Sequence, residues 1–297
     1  MELKIYVLLL YIVFHWIGCR IPIDNGGSEL DKTSVNFGFN LTKPVQRYDM
    51  PGKLKEISGL AYAGEGILAS VNDEEGKVYF FNTYTGEIQA VTKFAKKGDY
   101  EGIAVYDKDI FVLKSNGEIY QFKNTGSKEV KSRNIETPFT TRNDLEGLTY
   151  SHDPGSLLIA CKNKADINDN EVNGRAVYQL DLTTLQVIWE PYINLTTQKF
   201  KNDLVSLGVK PANHMPFMLS GISIHPVSGH IYLISSVGRL LLVIDKKKNI
   251  ISAIPLSRKL FEQPEGICFD EMGNLYIASE GRTRKGYILK FAPKKEN

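Results

Sequence analysis

Residues 264–279 read PEGICFDEMGNLYIAS. The apolar run that begins after Gly266 and the run from Leu275 to Ser279 both have the length and composition of β-strands. Between them, Asp270 to Asn274 is rich in the residues that form tight turns. This stretch therefore predicts two antiparallel strands joined by a short turn.

The start of this stretch recurs along the chain as an acid or serine, a glycine and an aliphatic residue. The copies are Ser58-Gly59-Leu60, Glu101-Gly102-Ile103, Glu146-Gly147-Leu148, Ser220-Gly221-Ile222 and Glu265-Gly266-Ile267. Successive glycines are about 45 residues apart, which is the length of one propeller blade, except for a longer interval between Gly147 and Gly221. The pattern therefore indicates a repeated β-unit.

Each copy continues with turns and further strands. In the first copy, Gly66 to Val71, Lys77 to Asn82 and Glu87 to Phe94 supply the second, third and fourth strands. Four strands in a unit are typical of a propeller blade. The sequence therefore predicts an all-β fold, a single β-propeller of four-stranded blades.

The long interval affects the number of blades. It holds one complete blade and then Thr196 to Leu207, whose apolar residues follow a helical period. We therefore expect five blades with a helical insertion near residues 195–217, and a sixth blade hidden in this interval is the alternative.

The last unit runs out of chain after its third strand, near Phe291, and this would leave an exposed sheet edge. Residues 45–54, VQRYDMPGKL, resemble the outer strand and exit that precede the other repeats. We expect an N-terminal strand from this segment to close the last blade.

The N-terminus has the pattern of an export signal. An apolar run from Ile5 to Ile17 follows Lys4 and is shorter than a membrane-spanning helix, which needs about 20 residues. Gly18-Cys19 resembles the bacterial lipobox, although Trp16 replaces its usual aliphatic residue. The predicted organisation is a signal peptide at 1–18, a lipidated Cys19 with a linker at 19–40, and the propeller at 41–297. A plain secretory signal and an uncleaved anchor are the alternatives.

This organisation predicts a lipoprotein of the cell envelope, on the periplasmic or cell-surface side, with the membrane as partner through an N-terminal lipid. The 36 basic and 34 acidic residues nearly cancel to a net charge of +2, so no broad electrostatic attraction to nucleic acid is expected. Cys161 and Cys268 lie in apolar runs and are expected to be buried free thiols.

The ordered set of repeats resembles the SdiA-regulated, or YjiK-like, propeller proteins of bacteria. The resemblance covers roughly residues 45 to 292 and includes the final Pro-Glu-Gly-Ile and the Gly-Asn-Leu-Tyr-Ile-Ala-Ser-Glu at 273–280. It implies an envelope-associated propeller and supplies no activity. The Gly-Asn-Leu-Tyr motif also resembles NHL-type and gluconolactonase-type propellers, which keeps an enzymatic interpretation open.

The residue before each repeat glycine is expected to face the central channel at one end. Residues at the ends of the second strands should join the same face. The resulting candidate binding residues are Ser58, Asp73, Glu101, Lys114, Glu146, Lys162, Ser220, Glu265, Glu280 and Arg282.

Carboxylates that converge on a narrow channel need compensating positive charge. Lys114 and Lys162 stand at the strand ends next to Glu101 and Glu146, so internal ion pairs are one expectation. Calcium or magnesium, held by Glu265, Glu280, Glu101 and Glu146, is the other, because hard cations prefer carboxylate oxygen. Glu265 has no such lysine, so its charge is the less compensated one unless Arg282 turns inward.

No sequence motif for a nucleophile elbow, a zinc-binding helix or a phosphate loop occurs in the chain. A binding module that takes a ligand or protein on its channel face is therefore the favoured function. A metal-assisted hydrolase or lactonase is the alternative, and the residues do not decide whether the protein is an enzyme.

Overall fold

A computed structural model describes residues 38–152, 155–168, 170–210 and 217–294. The predicted signal peptide and Cys19 lie outside these ranges. Within them, no helix is long and apolar enough to cross a membrane.

The described residues form five four-stranded antiparallel sheets. The first strand is β1 (Gln46–Asp49), which is followed by a one-turn 3-10 helix (Gly52–Leu54). Blade 1 contains β2 (Ile57–Tyr62), β3 (Ile67–Asn72), β4 (Lys77–Asn82) and β5 (Glu87–Lys93). Blade 2 contains β6 (Tyr100–Tyr106), β7 (Asp109–Lys114), β8 (Ile119–Lys123) and β9 (Arg133–Ile135).

The remaining three blades follow the same order. Blade 3 contains β10 (Leu145–Ser151), β11 (Ser156–Cys161), β12 (Arg175–Asp181) and β13 (Gln186–Leu195), and helix α1 (Thr197–Ser206) follows it. Blade 4 contains β14 (Gly221–Ile224), β15 (Ile231–Ser235), β16 (Leu240–Ile244) and β17 (Ile250–Pro255). Blade 5 contains β18 (Pro264–Phe269), β19 (Leu275–Ser279) and β20 (Tyr287–Phe291), with β1 as its outer strand.

The five-bladed propeller and its N-terminal closure are confirmed, and the six-blade alternative is wrong. β1 pairs antiparallel with β20, so that Gln46 lies opposite Lys290 and Asp49 opposite Tyr287. The long interval between repeats holds blade 3 and α1. Closure by an early strand joins the two ends of the chain in one sheet, which removes the open edge of β20.

The core is divided among the blade interfaces. Five clusters of buried apolar side chains lie one between each pair of adjacent blades. Strand β7 shows how one strand serves two clusters, because Ile110 and Val112 pack toward blade 1 whereas Phe111 and Leu113 pack toward blade 3. Alternation of side chains across a strand buried on both faces explains why the inner strands read as continuous apolar runs.

The repeat glycines bring the inner strands together around the channel. A Cβ on Gly221 would lie 2.3 Å from the carbonyl oxygen of Glu265, and one on Gly102 would lie 2.8 Å from the Cβ of Leu148. These contacts join each blade to the next, so only glycine permits the close approach. The channel at this level retains a cavity of about 10 Å³, and the residues on either side of the glycines therefore face two separate ends.

Candidate functional site

The residue before the repeat glycine lies at a β-bulge in four of the five inner strands. The strand register shifts at Ser58, Glu101 and Glu146, and again between Pro264 and Ile267 around Glu265. A bulge redirects the side chain of the extra residue. Side chains at these positions line the constricted end of the channel.

The two repeat serines bind neighbouring blades. Ser58 Oγ donates a hydrogen bond to the carbonyl oxygen of Tyr100 at 2.6 Å, and Ser220 Oγ donates to the carbonyl oxygen of Pro264 at 2.8 Å. Ser220 Oγ also accepts a bond from the amide of Ser236 at 3.1 Å. The acceptors are the residues directly before Glu101 and Glu265. Each serine therefore positions the glutamate of the following blade.

Glu146 and Lys162 form the ion pair that the sequence predicts, and Lys162 Nζ also lies 3.6 Å from Asp144 Oδ2. Glu146 is 6% exposed, and its second oxygen, Oε2, has no hydrogen-bond partner in the described residues. Burial raises the pKa of Glu146 to about 7, although Lys162 opposes this rise. Burial lowers the pKa of Lys162, but the carboxylate of Glu146 outweighs that effect and holds it above its usual range.

Glu101 differs from the expectation, because its predicted ion pair with Lys114 does not form among the described residues. Lys114 Nζ instead lies 3.0 Å from Glu118 Oε2. Burial, then the charges of Glu146 and Asp99, raise the pKa of Glu101 to about 10. Glu101 is therefore protonated at neutral pH.

Glu265 is buried to nearly the same extent as Glu146. It is 7% exposed, and burial, followed by the charges of Glu146 and Glu280, raises its pKa well above the usual range. Arg282 does not contact it, since Arg282 Nε donates to Gln263 Oε1 at 3.1 Å. Glu265 thus has no direct basic partner in the described part of the chain.

Two further acids lie at the strand ends. Burial, then the charge of Asp73, raises the pKa of Glu280 to about 7. Burial is the largest cause that raises the pKa of Asp73 to about 6, and the charge of Glu56 is the next. Asp73 Oδ1 is buried and has no hydrogen-bond partner among the described residues. We call the five residues with raised pKa values the acidic mouth; they are Asp73, Glu101, Glu146, Glu265 and Glu280.

Sequence reasoning missed a second layer of residues, which lies two positions before each glutamate. Asp99 lies close enough to Glu101 to raise the pKa of that carboxyl, whereas Gln263 lowers the pKa of Glu265. Asp144 lies beside Lys162, as described above. A polar residue two positions before the glutamate of each glutamate repeat is a signal that could have identified them.

The acids do not form a ready-made metal centre. In the described ranges, no three His, Cys, Asp or Glu side chains lie close enough to hold one ion. The two thiols, Cys161 and Cys268, are free and buried, and burial raises the pKa of each. The acidic mouth is therefore an array of carboxyl groups of unequal protonation beside a half-buried lysine, Lys162.

The opposite end of the channel has a different character. A cavity of about 170 Å³ there is lined mainly by apolar side chains, with Tyr62, Tyr150 and His152 at its edge. Tyr150 stacks on Tyr106 at a centroid distance of 4.0 Å, and His152 meets both rings edge-on. The two ends of the channel thus present acidic and aromatic surfaces respectively.

These features define a five-bladed β-propeller with an acidic channel mouth. The sequence profile of the SdiA-regulated family matches residues 39–283, and the chain belongs to that family. A search of curated proteins found no match.

Several solved propellers are similar in structure. A luciferin-regenerating enzyme is 13% identical, with a TM-score of 0.52, and the match covers 86% of this chain and 98% of that one. Glutaminyl cyclase from Myxococcus xanthus is 12% identical, with a TM-score of 0.50, over 86% and 97% of the two chains. Virginiamycin B lyase from Staphylococcus aureus is 15% identical, with a TM-score of 0.43, over 82% and 69%. At such low identity these similarities show the fold alone.

Proposed function

We propose that the protein is a ligand-binding propeller of the bacterial cell envelope and that its acidic mouth binds a cation. The observation that carries this proposal is the buried Oε2 of Glu146, which has no hydrogen-bond partner among the described residues and lies in the constricted channel with Glu101 and Glu265. A buried oxygen without a partner costs free energy that a ligand can recover.

The charge balance of the mouth supports a cationic ligand. Among the described residues, one lysine, Lys162, directly contacts a carboxyl group of the mouth, that of Glu146. The raised pKa values of the acids mean that protons supply much of the missing positive charge. A cation that replaces those protons restores ionised carboxylates. Binding should therefore release protons and should become tighter as the pH rises.

Calcium or magnesium is the cation that the carboxylate set suggests, because both prefer oxygen ligands. The acids are not gathered around one point, so such an ion requires Glu146 and Glu265 to turn toward each other. The cavity of about 10 Å³ at the glycine level is the size of one water molecule. A larger ligand must therefore rest on the mouth instead of entering the channel.

Isothermal titration calorimetry with calcium chloride and magnesium chloride at pH 6 and pH 8 tests the proposal. We expect saturable binding, tighter at pH 8, with proton release visible in buffers of different ionisation enthalpy. Glu265→Gln should weaken binding at least tenfold. The matched control is Glu190→Gln, which removes an exposed acid on the outer strand of blade 3. Absence of binding at both pH values, or equal affinity of the wild type and Glu265→Gln, would contradict the proposal.

The alternative from the sequence is a metal-assisted hydrolase or lactonase. Activity assays on the same protein distinguish it from a binding module. Turnover of a panel of lactones and phosphoesters in the presence of calcium, lost in Glu265→Gln, would replace the binding module with an enzyme. The propeller enzymes with similar folds do not favour this alternative, because the similarity is confined to the fold.

Membrane anchoring through Cys19 is the remaining part of the proposal. Its support is the apolar run that ends in Gly18-Cys19. Cys19→Ser should shift the protein out of the membrane fraction or block its processing. Unchanged fractionation together with unchanged processing would remove lipid anchoring from the proposal without affecting the acidic mouth.

A further inference from the structure

A groove lies on the outside of the propeller where blades 5 and 1 meet. Its volume is about 600 Å³, within the range of small-molecule sites. One wall is the exit from β1, at Asp49 to Lys53, with Lys285 beside it, and the other is the β4–β5 hairpin of blade 1. We call this the seam groove, and none of its lining residues belongs to the acidic mouth.

The interface between blades 3 and 4 is built differently. There, Phe200 and Leu204 of α1 pack into the apolar cluster that the two blades share. In the described part of the chain, the space between blades 5 and 1 has no α-helix and holds instead the one-turn 3-10 helix Gly52–Leu54, whose Leu54 is buried in the shared cluster. The seam groove therefore lies over this interface without an α-helix to cover it, and Val91 is exposed in its lining.

The β4–β5 hairpin gives the groove an amphipathic lining. Lys77 stands at the open end of the hairpin, followed by Tyr79 opposite Val91 and then by Phe81 opposite Ile88. The open end is positive, and the middle of the groove is apolar. Four residue steps separate Lys77 from Phe81, so at a strand rise of about 3.3 Å per residue the groove extends roughly 13 Å from its positive end to Phe81.

Two more lysines lie at the same end as Lys77. Lys285 directly precedes Gly286, whose carbonyl accepts a hydrogen bond from the amide of Met50 at 2.7 Å, and Lys53 follows three residues after Met50. Among the described residues, neither Lys53 nor Lys285 forms an ion pair.

The acids near the groove do not cancel this charge. Lys77 is paired with Glu75 at 2.8 Å, whereas Asp49 is paired with Arg47 at 2.8 Å. Glu87 lies at the far, turn end of the hairpin. Two unpaired cationic side chains therefore remain at one end of an apolar groove.

We propose that the seam groove binds a free long-chain carboxylate, with its head at Lys53 and Lys285 and its alkyl chain along Val91, Phe81 and Ile88. Charge complementarity places the head, and the apolar path accommodates a chain of medium to long length. Because such a ligand contacts the exit of β1, blade 1 and the loop before β20 together, it bridges the two ends of the ring. Bound ligand should therefore stabilise the closure by mass action.

Dodecanoate is a suitable probe, with dodecanol and acetate as controls that carry only the tail or only the head. Calorimetry on the full-length chain should show saturable binding of dodecanoate below its micellar concentration, at least tenfold weaker binding of dodecanol, and none of acetate. Hydrogen exchange should slow at residues 46–54, 77–93 and 285–290 when dodecanoate is bound.

Substitutions separate the groove from general hydrophobic binding. Val91→Glu should abolish dodecanoate binding, whereas Ile188→Glu, which changes a similarly exposed residue on the outer strand of blade 3, should leave it unchanged. The double substitution Lys53→Glu/Lys285→Glu should weaken binding at least tenfold, and the matched double substitution Lys108→Glu/Lys259→Glu should not. Circular dichroism melting of each variant verifies the fold.

Three results would overturn the proposal. The first is absence of dodecanoate binding by the wild type. The second is binding that Val91→Glu and Ile188→Glu weaken equally, which would indicate nonspecific adsorption. The third is sedimentation with anionic phospholipid vesicles without binding of dissolved dodecanoate, which would indicate a membrane-contact surface. Calcium affinity should be unaffected by the seam substitutions, so failure here leaves the acidic mouth untouched.

Discussion

Blades 2 and 3 carry the same pattern of charges but use it differently. Each has an aspartate, a glutamate two residues later, and a lysine at the end of its second strand. In blade 3 the lysine, Lys162, pairs with Glu146. In blade 2 the lysine, Lys114, pairs with Glu118 and leaves Glu101 without a basic partner among the described residues.

The strand register explains the difference. Gly102 pairs with Leu113 whereas Gly147 pairs with Ala160, so Lys114 is equivalent to Cys161 and lies one position before the equivalent of Lys162. A one-residue offset turns a side chain to the other face of the strand. Lys114 pairs there with Glu118, which follows the tight turn at Gly117 and also accepts hydrogen bonds from Asn116 Nδ2 at 3.2 Å and Tyr120 OH at 3.0 Å.

Among the substitutions that test this comparison, Lys162→Met should have the largest effect on the free energy of unfolding. This change leaves Glu146, Glu265 and Glu280 without the cation that lowers their pKa values. We expect the free energy of unfolding to fall by about 3 kcal/mol at pH 8. The loss should shrink toward pH 5, where the acids take up protons in the folded state. Urea denaturation at both pH values measures this.

Lys114→Met is the matched control in blade 2. Its ion pair with Glu118 is partly exposed, so its loss should cost less than about 1 kcal/mol at either pH. A similar cost for both lysines would show that Lys162 has no special role in the mouth.

Glu146→Gln should have the next largest effect. Lys162 loses a hydrogen-bonded carboxylate and retains Asp144 at 3.6 Å. A decrease of about 1–2 kcal/mol in the free energy of unfolding is expected at pH 7. Chemical denaturation measures it, and an unchanged stability would mean that Asp144 replaces Glu146 completely.

Glu101→Gln should change stability in the opposite direction. The folded-state pKa of Glu101 is about 10, against an ordinary value of 4.5, so between these pH values the unfolded chain binds fewer protons than the folded chain. This difference makes the wild type less stable as the pH rises through that window. The glutamine variant lacks this decrease.

The melting temperature of Glu101→Gln at pH 8 should therefore exceed that of the wild type by several degrees, and the two should converge near pH 4. Differential scanning calorimetry across this range provides the measurement. A variant that melts lower than the wild type at pH 8 would show that the protonated carboxyl makes a hydrogen bond worth more than its burial costs.

The fold was predictable from the sequence because one feature repeats. A glycine is required wherever neighbouring inner strands approach closely, so the start of each blade is marked at Gly59, Gly102, Gly147, Gly221 and Gly266. The closure by residues 46–49 followed from the missing fourth strand of blade 5. These inferences depend on how the backbone strands pair, and a local sequence pattern is sufficient to predict that pairing.

The details of the site were less predictable because they depend on competition between side chains. The sequence places Ser58 and Ser220 in the ring of channel residues, but only the structure shows that their hydroxyl groups bind carbonyl oxygens of the next blade. The same holds for Lys114, since only the strand pairing shows that it lies one position before the equivalent of Lys162. The seam groove joins residues more than two hundred positions apart, and no single segment predicts it.

The smallest expected effect tests the competition itself. Glu118→Gln removes the acid that holds Lys114, whose position in blade 2 is equivalent to that of Cys161, one residue before Lys162, in blade 3. If Lys114 turns to Glu101, the pKa of Glu101 should fall below its present value of about 10. The free energy of unfolding should change by less than about 1 kcal/mol, because one partly exposed ion pair replaces another. Carbon NMR titration of the side-chain carboxyl, assigned by its absence in Glu101→Gln, measures the pKa directly. A Glu101 carboxyl that still titrates near pH 10 in the Glu118→Gln protein would show that the strand register, and not the competing acid, keeps Lys114 away from the mouth.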